Sequence, residues 1–461
     1  MVPQRDAWGE RLPRNLGLWS AVAVLIGSTI GSGIFRVPAT VAERLQDPGP
    51  VLLAWVLGGI IALFGALTLA ELAGALPRSG GVFAYILESF GPMPAFLFGW
   101  SELTVIRASA LGAIATIFAE YLGHFIRLSP MQVRWVAAVA VIAVGLLNYV
   151  GVKRAAVLMN LSTVAKYAAL AALVLLAFTV GEGSTAHFTP AWPQGLDLSL
   201  MATALIAIMW TYDGWADLSF MGGEVKNPGR TLPLALITGT FGILVIYLLL
   251  NVAYVYLVPL NEMARSPLIA ATAAERIPLL GRFAGGVISG VVMLSCFSTL
   301  IGSMMTGPRI FFAMADRGLF FQTIARVSPR FHSPSVAIWL ATGLGVVYVL
   351  LNDFQQLADK FILGIWPFYA LAVGAVFVLR RRRPDLPRPY RTWGYPVVPL
   401  LFLLASLAMV VNALWTDPVN TGITFGIILA GIPAYYAWKA WSRRSGQPAV
   451  ISDAVQKQDA D

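Results

Sequence analysis

Runs of at least about 18 apolar residues, separated by short polar or charged stretches, recur along almost the whole chain. Each is long enough to cross a ~30 Å hydrocarbon core as a helix. The pattern predicts twelve spans, near 16–42, 51–76, 93–123, 132–150, 156–180, 198–222, 232–258, 283–314, 334–351, 357–379, 396–414 and 420–440. Polar positions interrupt two of them. In the first span, three glycines and three hydroxyl residues fall within Gly27-Ser28-Thr29-Ile30-Gly31-Ser32-Gly33. Glycine loses the most backbone entropy on ordering, and Ser and Thr compete for backbone hydrogen bonds. The sixth span carries Trp210-Thr211-Tyr212-Asp213-Gly214-Trp215-Ala216-Asp217. Both are expected to be discontinuous helices, because freed backbone groups are tolerated at membrane depth only where they line a cavity or meet a ligand.

Spans one and six hold the same place in two successive five-span units, so the pattern predicts an inverted repeat of spans 1–5 and 6–10, as in secondary transporters. The expected organisation is a tail at 1–15, a first repeat at 16–180, a second at 181–379, spans 11 and 12 with a preceding basic loop at 380–440, and a tail at 441–461. The loop at 259–282 is expected to carry a short surface helix. The four prolines of 384–396 demand an extended turn.

Composition agrees: the 461 residues are 58% hydrophobic and 12% charged, with a mean hydropathy of +0.74, whereas soluble domains carry roughly 25% charged residues. With both termini inside, 21 of the 32 Lys and Arg residues fall in inside loops and tails and seven outside, which predicts cytoplasmic termini. The net charge of +9 follows from this topology, and no nucleic-acid partner is implied. Arg380 to Arg383 read as a stop-transfer anchor toward anionic membrane lipid. The single cysteine, Cys296, has no intrachain partner, and the first apolar segment lacks the features of a cleaved signal. His124, His187 and His332 lack metal-ligand spacing, and no catalytic or cofactor motif is present, so neither an enzyme, a cofactor nor a metal is expected.

A broken helix offers unpaired N–H groups and a positive dipole end on one side, and unpaired carbonyls with a negative end on the other. Two facing breaks suit a zwitterion such as an amino acid. The N–H groups from Ser32 through Gly33 to Ile34, with the Ser32 hydroxyl, are assigned to the carboxylate. The carbonyls from Ile26 to Thr29 and from Trp210 to Asp213 are assigned to the ammonium. Close helix packing is the plainer use for Gly27 and Gly31. Lys166, in the middle of span five, must be partnered or snorkel. Facing the first break, it would donate to freed carbonyls in the place of a cation, or take part in proton coupling. Asp213 and Asp217 either meet the substrate amine or cap the second half of span six. Trp210 is placed to lie over a bound substrate as a cation–π partner. Glu102 and Arg107, five residues apart, are expected to pair across helices and not along one.

Several motifs together resemble those of the amino acid–polyamine–organocation superfamily and its L-type amino acid transporter branch. They are Ile30-Gly31-Ser32-Gly33-Ile34-Phe35, Arg78-Ser79-Gly80-Gly81 with Tyr85, Gly99-Trp100-Ser101-Glu102-Leu103 with Arg107, Tyr212-Asp213-Gly214-Trp215, Glu224-Val225-Lys226-Asn227-Pro228, and Arg388-Pro389-Tyr390 with Gly394-Tyr395-Pro396. The likeness covers all twelve spans. It implies an all-α LeuT-type fold and sodium-independent amino acid transport across the plasma membrane, most naturally of neutral L-amino acids, as an exchanger or a proton-coupled uptake system. A cationic amino acid or polyamine carrier, or a sensor without transport, is the alternative. The resemblance implies carboxylate binding at Ser32 and Gly33 and amine binding by carbonyls near Thr29, Trp210 and Asp213. It further implies a lid at Trp210, a pocket wall at Trp366, and Lys166 in place of a sodium ion. Ala216 stands where many members have Asn, so side-chain selectivity does not carry over. The loop 124–131 lacks the cysteine that tethers a heavy subunit in eukaryotic members. This implies a bacterial inner-membrane protein without that partner; a homodimer is left open.

Overall fold

A computed structural model describes residues 12–192, 197–266 and 269–444. In chain order the helices are α1 (Leu18–Thr29), α2 (Gly33–Leu45), α3 (Pro48–Ala75), α4 (Val82–Phe90), α5 (Pro92–Ser101), a π-helical turn at Glu102–Ile106, α6 (Arg107–Leu122), α7 (Pro130–Tyr149), α8 (Val152–Thr179), α9 (Leu198–Tyr212), α10 (Asp217–Phe220) and α11 (Pro228–Leu257). There follow α12 (Leu260–Met263), α13 (Ile269–Glu275), α14 (Ala284–Asp316), α15 (Ser335–Leu351), α16 (Phe354–Arg382), α17 (Val397–Thr416), α18 (Pro418–Leu429) and α19 (Gly431–Arg444). Among the described residues the only β pairing is two isolated bridges.

Nine of these helical stretches are long and apolar enough to cross a membrane; α1 and α2 form a further span bent by 42°, and α9 and α15 are shorter apolar helices. Local sequence sets many of the starts. Ser129 and Asp353 form capping boxes with Gln132 and Gln356, and Asp197 accepts from the N–H groups of Ser199 and Leu200, which satisfies donors that have no partner inside the helix.

Burial sorts the helices by depth. Pro92–Leu122 has 83% of its apolar window buried, against 33% for α7, α8, α17 and the α18–α19 stretch, so the α5–α6 helix runs through the middle and the others face lipid. Leu400, Leu404, Leu407 and Val411 of α17 are exposed apolar side chains on that outer surface.

The sixth span is shorter than expected, ending at Tyr212 and resuming only as the single turn α10. Amphipathic α4 was not anticipated between the second and third spans; it turns in at Gly81 (φ 42°) and out at Gly91 (φ 87°). The expected surface helix within 259–282 is present as α12 and α13. The basic run 380–383 does not simply point at lipid. Arg380 forms two bonds to Glu71 (2.9 and 2.6 Å), and Arg382 donates to the Ser89 carbonyl.

Candidate functional site

The first helix stops where the glycine and hydroxyl residues cluster. Ile30 leaves the helical region (ψ 89°), and α2 restarts at Gly33. The second stops at Asp213 (ψ 153°), followed by Gly214 at φ 105°, a conformation that L side chains rarely adopt. The breaks interlock through their glycines. A Cβ on Gly33 would stand 2.7 Å from Oγ1 and 2.8 Å from Cα of Thr211; one on Gly214 would stand 2.9 Å from the Thr29 Cα. Tyr247 of α11 joins them again, its hydroxyl lying 3.1 Å from the Thr29 carbonyl and 3.2 Å from that of Thr211.

The carbonyls freed at the end of α1 have donors from two other helices. Lys166 Nζ, fully buried, donates to the carbonyls of Gly27 (3.1 Å) and Ile30 (2.5 Å). From α14, Thr299 Oγ1 donates toward the same two (3.0 and 3.1 Å), and Ser295 Oγ donates to Ile30 (2.9 Å). An ammonium and two hydroxyls thus satisfy backbone acceptors that would otherwise be stranded in an apolar interior.

Between the breaks lies a cavity with an empty volume of about 450 Å³. Ser28, Thr29, Gly31, Ser32 and Gly33 line it from the first break, and Trp210, Asp213, Gly214 and Asp217 from the second. Arg107, Ala110 and Ile114 come from α6, Thr299 and Ser303 from α14, and Phe361 from α16. The first N–H groups of α2, from Gly33 onward, have no partner inside their helix. The carbonyls of Thr29, Thr211 and Gly27 are engaged as described, whereas those of Trp210 and Asp213 receive no hydrogen bond among the described residues. One wall thus offers backbone donors and the other backbone acceptors.

Six of the residues expected at the site, Thr29, Ser32, Gly33, Trp210, Asp213 and, one layer behind, Lys166, are brought together. Ile34 is not among the residues lining the cavity, and its side chain is buried in the core. Trp366 is not among the residues lining this cavity. Its ring stacks on Phe402 of α17 (centroids 5.7 Å, 21°) and meets Tyr369 edge-on. Asp217 does not cap α10; it is the first helical residue and accepts from Thr306 Oγ1 at 2.9 Å. Asp213 accepts from Tyr369 Oη at 2.9 Å. Glu102 and Arg107 pair within one helix after all (3.2 Å), since the π-helical turn carries residues five apart onto one face. Sequence reasoning missed Arg107 as a cavity residue, although a lone intramembrane guanidinium was the available signal.

Trp210 sits between this cavity and a second one, with an empty volume of about 630 Å³, that shares Ser32 and Gly33 and is further lined by Arg36, Arg44 and Phe354. Its ring meets Phe361 (5.1 Å, 88°) and Phe354 (6.3 Å, 82°) edge-on. At the opposite end the N-terminal tail closes the bundle. Arg14 donates to the carbonyls of Gly222, Val225 and Pro77, and the N–H groups of Asn15 and Leu16 bond to the Glu224 carbonyl. Beneath that contact, Glu224 and Arg309 form a fully buried ion pair at 2.8 Å.

A bundle of apolar helices enclosing a polar cavity between two facing helix breaks is the architecture of a secondary transporter. The chain belongs to the amino acid permease family, whose model matches residues 16–437, and within it to the L-type branch of the amino acid–polyamine–organocation superfamily. It is similar to the serine/threonine exchanger SteT of Bacillus subtilis (strain 168), 32% identical over 93% of this chain and 97% of that protein. It is likewise similar to the human cystine/glutamate transporter, 32% identical over 96% of this chain and 89% of the relative. The human b(0,+)-type amino acid transporter 1 is 30% identical, over 95% and 92%. The chain is therefore a multi-pass membrane protein and an amino acid transporter, not an enzyme.

Proposed function

We infer that this transporter carries neutral L-amino acids by alternating access across a bacterial inner membrane, with both termini in the cytoplasm. The carrying observation is the pairing, across one cavity, of the N-terminal donors of α2 with the open carbonyls at the end of α9. In this reading Ser32, Gly33 and Ile34 hold the carboxylate through main-chain N–H groups, and the Trp210 and Asp213 carbonyls hold the ammonium. The Thr29 carbonyl, engaged by Tyr247, plays a supporting part.

The substrate's side chain then meets Ala110, Ile114 and Phe361. These favour a small or medium apolar or hydroxylated group. The carboxylates nearest the cavity are already engaged, Asp217 by Thr306 and Asp213 by Tyr369, which supports a neutral substrate over a cationic one. Lys166 occupies the place of a coupling cation. Trp210 forms a partition on the side away from the tail; Trp366 supports Tyr369 from behind.

Counting the bent pair and the two shorter apolar helices as spans gives the twelve expected from the sequence, with 16–180 and 181–379 as inverted repeats. The absent cysteine in the loop 124–131 supports function without a tethered heavy subunit.

The test is counterflow in liposomes with labelled L-serine and L-leucine and a panel of unlabelled competitors, in sodium and in choline buffers. Neutral amino acids are expected to compete and to exchange equally well in both. Competition by arginine or putrescine alone would overturn the substrate class, and binding without counterflow would overturn transport.

A further inference from the structure

Beside the substrate cavity, two carboxylates share one guanidinium and a third lines the same cavity. Glu102 is fully buried; its Oε2 accepts from Arg107 Nε at 3.2 Å, while its Oε1 has no hydrogen-bond partner among the described residues. Arg107 also donates from Nη1 to Ser303 Oγ at 2.9 Å, and that nitrogen lies 3.8 Å from Asp217 Oδ2. Asp213 completes the group from the second break. Among the described residues, the other elements packed there add no cation to balance them. Tyr369 of α16 donates to Asp213, and Tyr348 of α15 donates to the Thr104 carbonyl inside the π-helical turn. Arg309 of α14 is taken by Glu224, and α5 and α18 carry no titratable side chain.

One positive and three negative groups cannot all stay ionised in such an interior; the affordable state adds a proton. Asp217 and Asp213 each accept a hydroxyl bond, from Thr306 and Tyr369. Glu102 has one oxygen, Oε1, without a partner on the most buried helix, so an ionised Glu102 keeps a charged oxygen unsolvated, whereas a protonated one leaves a single unmet hydrogen bond.

We propose that Glu102 is a proton-carrying site of this transporter, loaded while Asp217 shares Arg107 and emptied when Asp217 withdraws. The proposal rests on the transport reading above and names its driving ion. Asp217 opens α10, the short half of a broken helix, whereas Glu102 and Arg107 lie on the central, most buried helix. Movement of α10 leaves Arg107 with Glu102 alone. The pair then ionises, and the Glu102 carboxyl gives its proton to water in the cavity that Arg107 lines; no electrons are exchanged. In the conformation described here the tail-side exit is closed by Arg14 and Leu16. The loaded state therefore belongs to the arrangement that faces away from the tail. With the tail in the cytoplasm, one proton enters with substrate and is released inside.

Infrared spectroscopy of the purified full-length protein reads the site without any flux. A carboxylic acid C=O band is expected at pH 7. It should vanish in Glu102→Gln and also in Asp217→Asn, where Glu102 remains but has Arg107 to itself, and should persist in Glu120→Gln, whose carboxylate is exposed and paired with Arg36. Absence of the band at pH 7, or its persistence in both of the first two variants, would overturn the proposal. In liposomes, an inward gradient of one pH unit should drive about tenfold accumulation of labelled L-serine by the wild type; accumulation indifferent to the gradient would equally overturn it. Failure of serine counterflow at symmetric pH would instead count against the transport reading, because the infrared result does not depend on it.

Discussion

The Lys166 ammonium lies 2.5 Å from the carbonyl of Ile30, the residue at which the first half of the broken helix ends. That contact ties α8 to the break at a point where Thr299 and Ser295 of α14 also converge. Replacing Lys166 by Met removes the charge with little change in length and leaves the Gly27 and Ile30 carbonyls to two hydroxyls alone. Uptake is expected to be lost and stability to fall by about 1–3 kcal/mol, measured as a lower midpoint of thermal unfolding in detergent. A variant with the wild-type midpoint and wild-type uptake would contradict this role.

Gly214 has two reasons to be glycine: its φ of 105° and its distance of 2.9 Å, measured from a built Cβ, to backbone atoms of Ser28 and Thr29. The obstacle is main chain, which cannot swing aside as a side chain would. Gly214→Ala is expected to cut counterflow at least tenfold while the protein still reaches the membrane. Gly33→Ala, which would press on the Thr211 Cα at 2.8 Å, should behave alike. Normal flux in both would show that the two breaks separate more freely than their contact suggests.

Ser32 bears on the substrate more directly. If its hydroxyl joins the α2 N–H groups at the carboxylate, Ser32→Ala loses one hydrogen bond to a charged group, about 1.5–3 kcal/mol, seen as a rise of tenfold or more in the half-saturating substrate concentration. Ser32→Leu fills the site and abolishes uptake. Unaltered kinetics in the alanine variant would move the carboxylate elsewhere.

Tyr247→Phe keeps the ring contacts with Trp55 and Tyr212 and deletes only the hydroxyl between the Thr29 and Thr211 carbonyls. A stability loss of about 1 kcal/mol is expected, together with slower transport at unchanged expression, since the breaks lose a shared tie. Equal turnover numbers for the two proteins would make the bridge incidental.

The two breaks were legible because polar and glycine residues stand out against apolar surroundings, and Lys166 because an ammonium has few uses at membrane depth. What escaped was long-range or depended on local helical pitch. Nothing in a linear reading brings Ser295 and Thr299 of α14 to the carbonyls of α1, or hangs Tyr247 between Thr29 and Thr211. The separation is 218 residues to Thr29 and 36 to Thr211, and hydroxyls inside apolar helices carry no label for their partner. Glu102 and Arg107 were expected to pair across helices because an α-helical pitch was assumed; a single π-helical turn reversed that. Trp366 was put at the pocket wall by resemblance alone, and its stacking on Phe402 sets it one layer back.

Lys166 also bears on energetics. A sodium ion resting on the Gly27 and Ile30 carbonyls would be a passenger, entering from one compartment and leaving in the other, and would bring the free energy of its own gradient. An ammonium on a side chain never crosses. It supplies the positive charge the broken helix needs while doing no thermodynamic work, so the direction of net movement is left to the substrate concentrations on the two sides and to whatever else the carrier can take on and let go.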